Sequence, residues 1–254
     1  MAPLPDGGVA QSRSGNITGA WYVAPTNRYD HGILGDHVEA GGLAVKTRDG
    51  QTFAFELPAT HVFEDLTPRI ADLDGDGTSE VIAIRSSLTR GAAVAVYGLR
   101  SGKLSLLAVT PEIGRAHRWL NIAAIHDFDG DGSREISFVR TPHIAGVLEV
   151  WSYSDGKLVK RLEMSGVSNH AIGSRALRLS ALLDVDGDGN TELILPDQPH
   201  TSLLAISVRS WKAQVISRAV LRAKAAGDLS KSGKTITVPM ADGRKASIRA
   251  VDFR

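Results

Sequence analysis

Short apolar runs alternate with glycine-marked polar turns along the whole chain. "VIAI" (81–84), "ISFV" (136–139) and "LILP" (193–196) are β-branched or aromatic and bounded by turn residues, so they predict buried strands rather than helix starts. Pairs of such runs meet at two-residue turns. "AAVAVYGLRSGKLSLLAVT" (92–110) and "GVLEVWSYSDGKLVKRLEM" (146–164) turn at Ser-Gly and Asp-Gly, a strong hairpin signal. A third, "SLLAISVRSWKAQVISRAV" (202–220), has lost the glycine of its turn. Further hairpins are predicted at 41–58, with Asp49-Gly50 at the tip, and at 235–251, with Asp242-Gly243.

The hairpins are spaced by a repeat. Ahead of each of the three apolar runs stands one nonapeptide pattern: "DLDGDGTSE" (72–80), "DFDGDGSRE" (127–135) and "DVDGDGNTE" (184–192), 55 and then 57 residues apart. Periods of this order mark solenoids, propellers or arrays. Each period runs from an apolar stretch through the acidic loop to a strand and a hairpin, which predicts four antiparallel strands per unit. "VLRAKAAGDLSKSGK" (220–234) has the shape of a strand entering such a loop, without the aspartates. With the flanking hairpins this makes about five units. The fold class expected is therefore all-β, a β-propeller of about five four-stranded blades spanning 15–254 as one domain. Residues 1–14 are expected to be flexible. "NITGAWYVA" (16–24) is expected to pair with the C-terminal segment and close the ring.

Four like charges within nine residues repel one another unless a cation sits among them. Hard oxygen ligands at loop positions 1, 3 and 5, a carbonyl at 7 and a further ligand at 9 suit calcium, with glycine at 6 for the turn. The metal-ligating candidates are Asp72, Asp74, Asp76, Thr78 and Glu80; Asp127, Asp129, Asp131, Ser133 and Glu135; and Asp184, Asp186, Asp188, Asn190 and Glu192. About three calcium ions per chain are expected. An EF-hand is excluded, because its twelfth position needs a bidentate Glu and here falls on Ala83, Phe138 and Leu195. The calcium is expected to be structural, and the rim that carries it to touch no substrate.

The pattern D-x-D-G-D-G-x-x-E followed by an apolar strand, repeated at this interval, resembles the FG-GAP or VCBS-type repeats of integrin-α-like β-propellers. The resemblance covers about residues 66–210. It implies calcium coordination by the loop acids named above. Seven blades are usual in that family, so an incomplete seven-bladed propeller is the alternative to five.

In a propeller the acidic loops and the Gly turns share one rim. The remaining loops place His31, His61, His117, His143, His170 and His200 on the other, with Arg28, Tyr29 and Trp119. Those nine side chains are the candidate ligand contacts. The loop "YVAPTNRYDHGILGDHVEAGG" (22–42) is the longest connection, and long loops in compact domains are commonly functional. The reading taken is a calcium-stabilised binding module that recognises a glycan or a protein there. A polysaccharide lyase or hydrolase using the same His and Arg is the alternative. No catalytic residue is assigned: H-E-x-x-H, G-x-S-x-G and a cysteine nucleophile are all missing. "GDLSKSGKT" (227–235) has one residue too many for a P-loop and leads into a strand pattern.

Charge and composition refine the picture. Twelve of the 28 acidic residues sit in the three loops, so the chain's 29 basic residues face only 16 other acidic ones, and a calcium-filled protein is moderately basic. Residues 212–254 hold ten Lys or Arg against three Asp, which reads as a solvated strand face; no nucleic-acid partner is expected. No run approaches a membrane span, and a monomer is expected. The first residues lack the basic and apolar regions of a signal peptide. Calcium loops of this kind suit the high calcium outside the cytosol, so a processed secreted or periplasmic form is expected.

Overall fold

The computed structural model describes residues 1–254. The protein is all-β: its strands form antiparallel sheets of nine, four, four and three strands, and its one helical element is a 3-10 turn at Ala250–Asp252. No helix is long and apolar enough to cross a membrane. The chain divides into two compact units, the first built from Met1–Trp119, Gly132–Arg134 and Tyr153–Val159, the second from Leu120–Asp131, Glu135–Ser152 and Lys160–Arg254.

The nine-stranded sheet comprises β1 (Ala10–Gln11), β2 (Ile17–Thr26), β3 (Glu39–Thr47), β4 (Thr52–Glu56), β5 (His61–Phe63), β6 (Arg69–Ala71), β7 (Glu80–Ser87), β8 (Gly91–Arg100) and β9 (Lys103–Val109). It is two sets of strands joined through the single pair Ala40↔Phe63. In the second set, β5 and β6 lie end to end along β7, against residues 85–87 and 80–82. Together they serve as one broken first strand, so this set has the four-strand order the repeat predicts. The four-stranded sheets are β10 (Leu120–His126), β11 (Glu135–Arg140), β12 (Val147–Ser154) and β13 (Lys157–Ser165), then β14 (Ala181–Leu183), β15 (Glu192–Pro196), β16 (Ser202–Arg209) and β17 (Lys212–Val220), each paired in chain order. The last sheet holds β18 (Ser230–Ser232), β19 (Thr235–Pro239) and β20 (Lys245–Arg249). The last unit thus has three strands, not the expected four.

Residue type decides which strands are central. β8, "GAAVAVYGLR", is buried over its first eight residues, because small alanines on both faces let neighbours close over it. β13 and β17 are sheet edges, mostly exposed and carrying Lys and Arg. Such charges blunt an open edge against further pairing. The first unit's core gathers Tyr22, Leu43, Phe63, Val81 and Tyr97. The second has two clusters, one around Ile194, Leu203 and Ile236, the other around Leu148, Val150 and Leu195.

The N-terminal strand does not pair as expected. β2, which contains most of "NITGAWYVA", is flanked by β1 and β3, not by the C-terminal segment. Closing the loop 27–38 to β3, though long for a hairpin, costs less chain entropy than a pairing across the whole sequence. The C-terminal Arg254 exchanges backbone hydrogen bonds with Arg218 of β17. Within residues 1–14, Leu4 is buried, its N–H donates to Tyr22 O, and Gly8 N–H donates to Leu66 O.

Candidate metal centres and the side chains around them

Each acidic loop connects a strand entering the sheet to the buried strand that follows, and all three fold alike. Gly75 N–H donates to Asp72 Oδ1 (2.9 Å), Gly130 N–H to Asp127 Oδ1 (2.7 Å) and Gly187 N–H to Asp184 Oδ1 (2.7 Å). The ninth residue of each loop, the first of the following strand, turns back. Glu80 accepts from Leu73 N–H, Glu135 from Phe128 N–H and Glu192 from Val185 N–H, at 3.0–3.1 Å. The glycines at positions 4 and 6 all have positive φ, Gly77 at 84° for instance. Only glycine adopts this readily, and it wraps the carboxylates around a common centre.

The wrapping brings positions 1, 3 and 9 together. Asp72, Asp74 and Glu80 form one group, Asp127, Asp129 and Glu135 a second, and Asp184, Asp186 and Glu192 a third, each with its ligand oxygens within 4.8 Å of one another. These are three sites able to hold a metal ion. The position-5 aspartates stand outside the trios. Asp76 Oδ1 accepts from the Thr78 hydroxyl and backbone N–H, which holds its carboxyl below the usual range. Asp188 accepts from Asn190 and pairs with Arg209, and is held down to about 2. Asp131 N–H donates to Asp129 Oδ1. Ser133 belongs to the segment Gly132–Arg134 of the first unit, where Arg134 N–H donates to Leu73 O.

The donor set fits a hard cation. Glu80, Glu135 and Glu192 are essentially unexposed. Burial pushes all three carboxyls up, Glu80 from 4.5 to about 7, against the hydrogen bond from Leu73. Moreover, Glu80 Oε1 is buried without any hydrogen-bond partner. A carboxylate oxygen stranded among acids is costly, and a cation at the centre of the trio would resolve it.

The nine candidate ligand residues fall into two groups. In the first unit, the rings of Tyr29, His31 and His117 cluster with centroids 5.1–5.8 Å apart. His117 N–H donates to Tyr29 Oη (2.8 Å), and its ring lies 3.5 Å from the Asp30 carboxylate. The cluster stands at the far end of β7 from the acidic loop, since Ala92 N–H, at the start of β8, donates to Arg118 O. Eight residues of strand put about 25 Å between the two. Of the three rings, His117 is the half-exposed one, and it holds a left-handed φ of 54°. Its neighbours are committed to the scaffold. His31 Nδ1 and Ser86 Oγ bind the two oxygens of buried Glu64, and Trp119 Nε1 donates to Glu64 O. The Arg28 guanidinium donates to His61 O, while the His61 ring joins Glu112 and Arg85.

In the second unit His143 Nε2 lies 2.8 Å from His170 Nδ1, whose Nε2 faces Ser174 O at 2.9 Å. The carbonyl requires a proton on His170 Nε2, so its Nδ1 accepts. His200 bridges Ala225 O and Ser168 Oγ. Burial lowers both His170, to about 4, and His200, so both rings are neutral at pH 7.

Sequence reasoning missed Glu64 and Glu112, which carry no motif. It also missed a cleft of about 640 Å³ beside the second and third acidic loops, with Trp211 in its lining. A signal for Trp211 was present: it stands where the two preceding hairpins have glycine. No family model matches the chain, and a search of curated proteins returns no match.

Proposed function

We propose that this is a calcium-stabilised, extracytoplasmic binding module, its repeats folded as the blades of an FG-GAP/VCBS-type propeller. The observation that carries the metal assignment is the buried, partnerless Oε1 of Glu80, a member of an all-oxygen trio whose spacing recurs three times. Oxygen-only donors with no His or Cys favour calcium over softer ions. Asp72, Asp74 and Glu80 would hold one ion, Asp127, Asp129 and Glu135 the next, and Asp184, Asp186 and Glu192 the third. Asp76 and Asp188, which stand outside the trios here, would join the first and third shells with the carbonyls of Thr78 and Asn190 once a cation draws them in. The ion supplies charge neutralisation at the turn and does no chemistry.

Binding is favoured over catalysis by the state of the acids near His31. Glu64 is fully buried, and both its oxygens are occupied by His31 and Ser86. It is not free to act on a substrate. What faces outward on that side is His117 with Asp30, held in a left-handed conformation by the bond to Tyr29. Such outliers cluster at functional sites, and a glycan or protein ligand is proposed to dock there.

Calorimetric titration of the chelated, dialysed protein with calcium tests the metal reading. Three sites per chain are expected, and Asp129→Ala should remove one and leave two. No heat of binding at millimolar calcium would end it.

A further inference from the structure

The turn between β16 and β17 is out of keeping with its relatives. The β8–β9 turn is Ser101-Gly102 (φ 50° and 72°) and the β12–β13 turn is Asp155-Gly156 (φ 51° and 72°). Both are two-residue turns with positive φ at each position, for which glycine at the second is the ordinary choice. The β16–β17 turn has the same form, yet its residues are Ser210 (φ 47°) and Trp211 (φ 58°). A left-handed bulky residue costs about 1–2 kcal/mol over glycine. The strain places an indole ring at the tip of the hairpin, where the Arg161 guanidinium stacks on it with 5.0 Å to the ring centroid.

Trp211 lines the cleft of about 640 Å³, together with Asp127, Phe128, Asn190, Glu192 and Arg209. That volume is in the range of small-molecule sites. Every lining residue belongs to the second unit. The cleft therefore offers aromatic rings beside a set of oxygen acceptors and amide donors. Its charge selects among ligands. The second and third loops each bring four carboxylates, so each stays negative after taking up one dication. Arg209, the cation in the lining, is already paired with Asp188. An anionic ligand is repelled.

We infer that this cleft is a binding site for a neutral oligosaccharide. A pyranose ring presents an apolar C–H face that stacks on Trp211 and a rim of hydroxyls that both donate and accept. Asp127 and Asp129 accept from adjacent hydroxyls, while the Asn190 amide and the hydroxyls of Ser207 and Ser210 meet the remainder. The docking surface at His117 is built from residues of the first unit, this site from residues of the second. It rests on the calcium reading only for the residual charge of the loops.

The test is calorimetry on the whole chain in millimolar calcium, with cellohexaose, maltohexaose, mannohexaose and xylohexaose as probes and hexagalacturonate as the anionic comparison. At least one neutral hexaose should bind, and hexagalacturonate should not. Trp211→Ala should weaken that binding at least tenfold. Ser207→Trp, which fills the cleft from β16 without removing a packed side chain, should abolish it. Both variants should keep the calcium stoichiometry of the parent, and Ser207→Trp carries the test if Trp211→Ala does not fold. Failure of all four neutral probes, preference for hexagalacturonate, or undiminished binding by both variants overturns the inference. Calcium titrated alone separates this outcome from a failure of the metal assignment.

Discussion

Glu39 shows how far a single side chain can be driven from its solution behaviour. Its residue is 4% exposed, and burial, reinforced by Glu64, Asp36, Asp6 and Asp65, pushes its carboxyl from 4.5 up to about 9. It is protonated in the folded protein at neutral pH and ionised in the unfolded chain. The native state then binds the extra proton between these values, so the contribution of Glu39 to stability is greatest below about pH 4.5 and falls as pH rises towards about 9. The slope is at most about 1.4 kcal/mol per pH unit. Glu39→Gln keeps the shape of the neutral acid and removes the titration. The variant should melt at least about 5 °C higher than the parent at pH 8.5, for a gain of about 2 kcal/mol or more, and its advantage should be several-fold smaller at pH 5. Equal shifts at both pH values would mean that the substitution acts through packing. None of this was legible in the sequence, where "HVEAGG" reads as a loop running into a strand. The acids that perturb Glu39 come from positions 6, 36, 64 and 65, and only folding assembles them. By contrast, the acids of the three trios were legible one by one, because the members of each lie within nine residues; the position-5 aspartates, expected beside them, stand outside.

At the scale of the element, the readable features were those set by local chemistry. Asp155-Gly156 and Ser101-Gly102 marked their hairpins because a turn with two positive φ values accepts few other residues. Gly156→Ala should therefore destabilise the protein by about 1 kcal/mol through backbone strain, with calcium binding unchanged, as denaturant melts and calorimetry would report. A loss of calcium stoichiometry in that variant would mean that the hairpin shapes the second loop, contrary to the argument. Features set by distant contacts were not readable. The break between β5 and β6 falls in "HVFEDLTPRIA", where Asp65 turns inward to accept from Tyr22 and Arg69. The missing fourth strand of the last sheet follows "VLRAKAAGDL", whose Leu221, Ala225 and Leu229 are buried in the core without forming a ladder. Apolar spacing alone does not tell such a packed coil from a strand.

Across the whole molecule, twelve carboxylates are concentrated in three loops, each running directly into a largely buried strand. β7, β11 and β15 each begin with the glutamate of a trio, and β15 is buried throughout. A loop cannot loosen without dragging on the strand it starts. A metal held there would be coupled to the core of each sheet that carries a loop, and under the proposed reading chelation would act on the fold before it acts on any ligand surface. A ligand that binds only the native state stabilises it by about 2.7 kcal/mol at a hundredfold excess over Kd. Three such sites are a large share of a typical domain's roughly 5–15 kcal/mol. Thermal melts should therefore fall by well over 10 °C when a chelator replaces millimolar calcium. Magnesium should restore little of the loss, because it demands a tighter octahedron and gives up its waters reluctantly. Ligand binding measured on the fraction still folded separates the roles at the two ends of β7. If the melt is unchanged while binding is lost, calcium belongs to the ligand site itself. If the melt collapses while binding at the His117 surface persists on what remains folded, the metal is structural, as its attachment to β7, β11 and β15 requires.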